Sequence, residues 1–489
     1  MSLFSIACMR GFLSSAVGVA TAAALSLPLA LSAPAFAESS PVAPTTPAAP
    51  AGSTQSLPLV PLGPTADRSP GTGTAPRLPE TRGLTAREVK KFSLVGVVWD
   101  DAGTQLSGRV QVRTRSVRTA TWSAWQDVET HNSEHAPDPG APERGSGRLR
   151  GSTAPLWVGE SDAVEARVQA EPGAPVTSVP ARLPAGLRIE LVDPGAGRPA
   201  AGPDARNTGA RGSDVPEDVP EDVPEDPPEG DEKGDADLVP GMTTETAEAS
   251  LANVPLAPLG AKEITALNKA DATADAVLAG DGALPATPYI GPRPAIVTRL
   301  GWGADESLRE REFVYTDTVK AAFVHHTATG NNYDCKDAPA VLRSMYRYHV
   351  VSEGWRDFGY NFAIDKCGTV YEGRAGGVAK AVLGAHTMGF NEDSMGIAVI
   401  GTFTSSGPPE AAVKSVAALT AWKLGLFNRD PRATTTLTSA GGNLFAKGTS
   451  VKMDVISGHR DGFATECPGE LLYAELPPTR TTAATLQGR

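Results

Sequence analysis

AAFVHHT, residues 321–327, is a run of small and apolar side chains that ends in two histidines and a threonine. Its short continuous apolar stretch reads as a buried strand inside a sheet. Successive side chains on a strand point to opposite faces, so at most one of His325 and His326 faces a given site. The neighbouring sequence extends the reading. DAPAVLRSMYRYHVVS (337–352) predicts an amphipathic helix, with Val341, Leu342, Met345 and His349 on one stripe. On that stripe His349 reads as a core histidine. YNFAIDKCGTVYEGR (360–374) predicts a hairpin turning at Lys366-Cys367-Gly368, and SMGIAVIGTF (394–403) a second buried strand. PPEAAVKSVAALTAWKLGLF (408–427) predicts a helix with prolines at its start, where a missing N–H does no harm. Strands alternate with helices, so residues 285–480 are expected to form an α/β unit, a mixed β-sheet flanked by helices, with 481–489 as a tail.

The chain has 489 residues, too many for one domain. Arg10, the apolar run Phe12–Leu31 and Ala35-Phe36-Ala37 read as an export signal cleaved after Ala37. Residues 38–84, rich in Pro, Ala, Ser and Thr in their first part, are expected to be a disordered arm. From 85 to 195, short β-branched and aromatic runs such as FSLVGVVWDD and GRVQVRTRSV predict a small all-β sandwich-like module. Trp99, Trp122, Trp125 and Trp157 read as its core in preference to a carbohydrate platform. Residues 196–284 are expected to be a spacer. Its acidic stretch, with proline at every fourth position, forbids a helix and extends by charge repulsion.

That spacer also explains the net charge. Residues 213–238 hold twelve acidic side chains and one lysine, eleven of the twelve net negative charges. The remainder is close to neutral, without the basic excess that nucleic acid requires. No segment after the signal is apolar enough to span a bilayer, so a secreted protein is expected. Cleavage leaves Cys335, Cys367 and Cys467, an odd number for an oxidising compartment.

Five of the seven histidines, His325, His326, His349, His386 and His459, lie in the α/β unit. His459 and Cys467 are eight residues apart in the Gly- and Pro-rich loop SGHRDGFATECPGE (457–470). Two imidazoles and a thiolate suit a zinc site with a fourth position open to water. Neither a His-Glu-x-x-His helix nor a His-x-His pair occurs, and spacing alone leaves a metal ligand and a structural thiol both open.

FVHHT, GWRDFGYNFAID, GTVYEGR, GAHTMGFNEDSMGIAVIG and GHRDGFATECPG follow one another in this order. Together they resemble the type 2 N-acetylmuramoyl-L-alanine amidase family, which includes the peptidoglycan recognition proteins, over residues 290–475. A β-rich module ahead of such a unit resembles exported actinobacterial proteins of this kind. The resemblance implies Zn2+ held by His325, His459 and Cys467, with Tyr360 and Thr465 as catalytic residues. His386, Asn391 and Arg374 are then expected to contact substrate, and Cys335 and Cys367 to form a disulfide. The implied reaction is hydrolysis of the amide between N-acetylmuramic acid and the L-alanine of the stem peptide. The alternative is a recognition protein that binds peptidoglycan without cutting it. Either reading implies a peptidoglycan partner and a cell-wall location; oligomeric state stays open, with a monomer favoured. One departure stands out: some relatives carry a Glu on the strand where this chain has Ala398. Glu372 is the other carboxylate considered, with a structural pairing to Arg374 as its expected role.

Overall fold

In the computed structural model the described residues are 52–62, 80–171, 182–197, 242–278 and 288–489. The expected export signal and the acidic proline repeat lie outside them. The N-terminal module is built on one antiparallel sheet. Its strands run in the order Ser53–Pro58, Arg188–Asp193, Thr81–Trp99, Leu156–Ala170, Gly108–Ser116 and Gln126–Val128. Alternation along the strands sends Phe92, Val95, Val97, Val110, Val112, Val164, Val168, Ile189 and Leu191 into one apolar core.

Residues 53–58 were expected to belong to a disordered arm, but they form an edge strand in register with 188–193. An edge position needs backbone hydrogen bonds on one side and little apolar surface, so composition is a poor guide there. The tryptophans divide. Trp99 is buried in the core and donates to the Thr104 carbonyl at 2.8 Å. Trp122 and Trp125 instead flank the Arg113 guanidinium, 5.3 and 5.1 Å from their ring centres.

The second sheet has seven strands, ordered Ile456–Gly458, Ala321–His326, Ser394–Val399, Phe362–Ile364, Val370–Glu372, Ile296–Val297 and Glu263–Ile264. The central pairs are parallel, while 362–364 with 370–372 and 296–297 with 263–264 are antiparallel. The mixed sheet is the expected one, and its central strands 321–326 and 394–399 are buried along their whole length. On one face Val324, Phe362, Ile364, Ile397 and Val399 pack with Val416, Leu419 and Trp422 of the helix Glu410–Leu426. Against the other face lies the helix Ala338–Arg347, which continues as a wider turn over Tyr348–Ser352.

This unit begins before residue 285, within the expected spacer. The helices Thr244–Leu251 and Lys269–Leu278 and the strand Glu263–Ile264 are all part of it. Ile264 and Ala272 are buried in its core, and Asn253 donates to Glu372 at 2.8 Å. The segment is alanine-rich because it fills shallow space, and small side chains leave no strong amphipathic signature.

The described residues form one compact unit. Leu94, Val98 and Val192 of the first sheet share an apolar cluster with Leu342, Met345 and Tyr348 of the second unit. Gly96 lets the two approach: a Cβ there would sit 2.3 Å from the Tyr348 hydroxyl oxygen. That hydroxyl donates to the Thr153 carbonyl at 3.1 Å.

Candidate metal centre and active site

The C-terminal ends of parallel strands in an open α/β sheet are a frequent place for a site. Here the strands Ala321–His326 and Ser394–Val399 end side by side, with His325 opposite Ala398. His326 points the other way, and its Nδ1 accepts from the Phe403 amide at 3.4 Å. The strand Ile456–Gly458 pairs with 322–324 and runs directly into the turn His459–Asp461. The Asp461 carboxylate accepts from the Gly458 amide at 2.8 Å, and the Arg460 amide donates to the Cys467 carbonyl at 3.0 Å. A main-chain bond thereby ties the His459 turn to the Cys467 segment.

His325, His459 and Cys467 converge, and each is buried. The Cys467 sulfur lies 3.7 Å from His325 Nδ1. That is close to the edge of a tetrahedron with zinc–nitrogen and zinc–sulfur bonds of about 2.0 and 2.3 Å. His325 Nε2 faces the Thr387 hydroxyl at 3.4 Å, which in turn meets His386 Nδ1 at 3.0 Å. Such an outer contact fixes the ring orientation of a metal ligand. Neither ring nitrogen of His459 has a hydrogen-bond partner among the described residues. Burying an imidazole that way is costly unless something binds it.

A fourth residue completes the cluster. His135 comes from the N-terminal module, and one donor atom from each of His135, His325, His459 and Cys467 lies within 4.8 Å of the others. The His135 ring centre is 4.5 Å from that of His459 and 5.5 Å from that of His325. Both His135 nitrogens are also buried and unpartnered among the described residues. Sequence reasoning missed this residue. It lies far from the other donors along the chain, in a loop without a recognisable motif.

Electrostatics suit a metal. Burial and the neighbouring imidazoles hold His325 and His459 well below the usual histidine range, and burial takes His135 down to about 3. All three are neutral at pH 7, as ligands must be. Burial, helped by the nearby Glu134 carboxylate, pushes the Cys467 thiol up, so a thiolate there needs a cation beside it. The donor set of buried imidazole nitrogen and one sulfur fits zinc.

Tyr360 lies beside the cluster, its ring centre 5.3 Å from that of His325. Burial, with the charges of Cys467, Glu353 and Glu134, holds its phenol well above the usual range, so it is a proton donor at neutral pH. The Thr465 hydroxyl accepts from the Cys467 amide at 3.1 Å and donates to Glu134 at 2.9 Å. Asn391 Oδ1 accepts from the His386 and Thr387 amides at 2.7 and 3.0 Å, shaping the loop beneath His325. Arg374 donates to the Phe358 carbonyl at 2.7 Å and pairs with Glu143 of the N-terminal module at 3.3 Å. Glu372 therefore does not pair with Arg374; it accepts from Asn253 and from the Arg299 amide, on the far side of the sheet's edge. A cleft of about 640 Å³ opens beside the cluster, lined by Glu129, His131, Glu134, His326, Thr465 and Cys467 among others.

A disulfide joins Cys335, just ahead of the helix Ala338–Arg347, to Cys367 in the hairpin turn, which leaves Cys467 as the free cysteine among the described residues.

Parts of the chain are similar to known proteins. The family described as N-acetylmuramoyl-L-alanine amidase matches residues 315–470, and one described as Rv3811 N-terminal galactose-binding domain-like matches 41–185. The second match begins well before residue 85, as the edge strand does. Human N-acetylmuramoyl-L-alanine amidase is 34% identical over 200 residues, which is 40% of this chain and 30% of the human protein. Peptidoglycan-recognition protein SC2 of Drosophila simulans is 31% identical over 183 residues, covering 37% of this chain and 84% of that protein. Among solved structures, peptidoglycan recognition protein-LE in complex with tracheal cytotoxin is 29% identical over 37% of this chain and 92% of its own, with a TM-score of 0.30. The chain belongs to the family of N-acetylmuramoyl-L-alanine amidases and peptidoglycan recognition proteins.

Proposed function

We propose that this protein is a zinc-dependent N-acetylmuramoyl-L-alanine amidase acting on peptidoglycan outside the cell. The observation that carries the reading is the convergence of buried, unpartnered imidazole nitrogens and a free thiol at the strand ends, beside Tyr360. A recognition protein that only binds has no use for such a costly donor set. His325, His459 and Cys467 would hold the zinc. Bound there, zinc supplies Lewis acidity, polarising the scissile carbonyl and lowering the pKa of water.

The chain's own residues do the rest. The Tyr360 hydroxyl, protonated at neutral pH, donates a hydrogen bond to the oxygen on which charge develops. Thr465, anchored to the Cys467 amide, offers a second hydroxyl from the opposite loop. His386 and Asn391 shape the floor, and Arg374 supplies a cation for a stem-peptide carboxylate. With alanine at 398 and Glu372 distant, neither supplies a general base at this site. Export through the N-terminal signal would bring the enzyme to its substrate.

The test uses the full-length chain. Metal analysis should find one zinc per molecule, and incubation with purified peptidoglycan should release stem peptides with a free L-alanine amino terminus, read by mass spectrometry. Cys467→Ser should lose the release and hold zinc far more weakly. Zinc without any such release, under every condition that exposes the site, would leave a binding protein.

A further inference from the structure

We propose that His135 is a fourth protein ligand that closes the metal centre, and that the loop Asn132–Gly147 is a plug holding the enzyme latent. The proposal rests on the zinc reading above, and it concerns a segment outside the residues matched to the amidase family. A catalytic zinc site keeps one position for water, whereas four protein ligands make a closed, structural type of site. His135 supplies the fourth donor. Its ring is buried against His459, and neither nitrogen meets another partner among the described residues. Desolvating both nitrogens without compensation is unfavourable, and coordination removes that penalty.

The rest of the loop occupies the groove as well as the metal. Glu134 takes the Thr465 hydroxyl at 2.9 Å, and its carbonyl accepts from the Met388 amide at 2.8 Å. Asp138 accepts from the Gly389 amide at 2.6 Å and from Asn391 at 2.8 Å. Glu143 pairs with Arg374 and accepts from the Arg356 amide at 2.9 Å. Carboxylates and a main-chain carbonyl are the groups a stem peptide would present to the same donors. The loop therefore competes with substrate at Thr465, Asn391 and Arg374 together. Its withdrawal would free a coordination position and the groove in one movement. The module itself can stay docked through Leu94, Val98 and Val192.

Full-length protein loaded with Co2+ in place of zinc tests this directly. The wild type should show the intense visible bands of a four-coordinate thiolate site, unchanged by azide. His135→Ala should bind Co2+ about a hundredfold more weakly, with bands that weaken, shift and respond to azide. Release of stem peptides by the zinc form should rise about tenfold or more, since an open state below about 10% limits the wild type. His135→Gln keeps a polar side chain in the loop and guards against a folding defect; the same changes are expected. Wild-type spectra, affinity and azide response in both variants would overturn the proposal while leaving the zinc reading intact. Failure of the wild type to bind Co2+ or zinc would overturn both.

Discussion

Cys467 shows how a single side chain can be read in the sequence and still need the fold to explain it. Its thiol is buried and pushed up in pKa, so without a cation it is an inert small hydrophobe. Cys467→Ser should sharply weaken zinc retention, measured by metal analysis after dialysis, while the fold persists because Ser fits the same space. Tyr360→Phe should do the reverse. In a His135→Ala background it should keep zinc and lower kcat by about 10²–10³-fold, the usual cost of losing one donor to a developing oxyanion. A KM effect with unchanged kcat would instead make Tyr360 a binding residue. His325, His459 and Cys467 were legible because each sits in a motif of local sequence. His135 was not legible, because nothing near it in the chain encodes its partners; only the docking of one module on the other brings them together.

Strands and helices were legible in proportion to how much apolar surface each buries. The runs 321–326 and 394–399 are buried from end to end, mostly by apolar side chains, and form the centre of the sheet. Ser53–Pro58 and Glu263–Ile264 sit at sheet edges, where backbone pairing does most of the work and side chains carry little signal. Even the helix Glu410–Leu426 hides an exception to pattern: Lys423 is buried, and its Nζ donates to the Val378 and Lys380 carbonyls at 2.6 and 2.7 Å. The hairpin 362–372 is tied by the Cys335–Cys367 disulfide, which closes a separation of 32 residues. Replacing both cysteines with serine should cost about 2–4 kcal/mol in denaturant unfolding. Zinc content should not change, since neither cysteine approaches the metal cluster. A coincident loss of zinc would mean that the loop 327–335 positions His325.

Docking of the two modules has a pH dependence of its own. Glu353 is buried at their junction, where it accepts from Asn132 at 2.7 Å and Ser152 at 2.6 Å, near the Tyr348 phenol. Burial raises its carboxyl from 4.5 to about 8. The folded chain therefore keeps a proton that the unfolded chain loses, and stability falls as pH rises from about 4.5 to about 8. Glu353→Gln keeps an acceptor for both donors and cannot ionise. The variant should lose less thermal stability than the wild type between pH 5 and pH 8; parallel curves would show that Glu353 is ionised in the folded chain. The same docking sets His135 beside His459, so the metal centre belongs to the whole molecule. X-ray absorption at the zinc edge of the full-length protein reads that centre directly. Three nitrogen ligands at about 2.0 Å and one sulfur at about 2.3 Å are expected. A zinc shell without sulfur, or no zinc at all, would contradict the assignment of His325, His459 and Cys467.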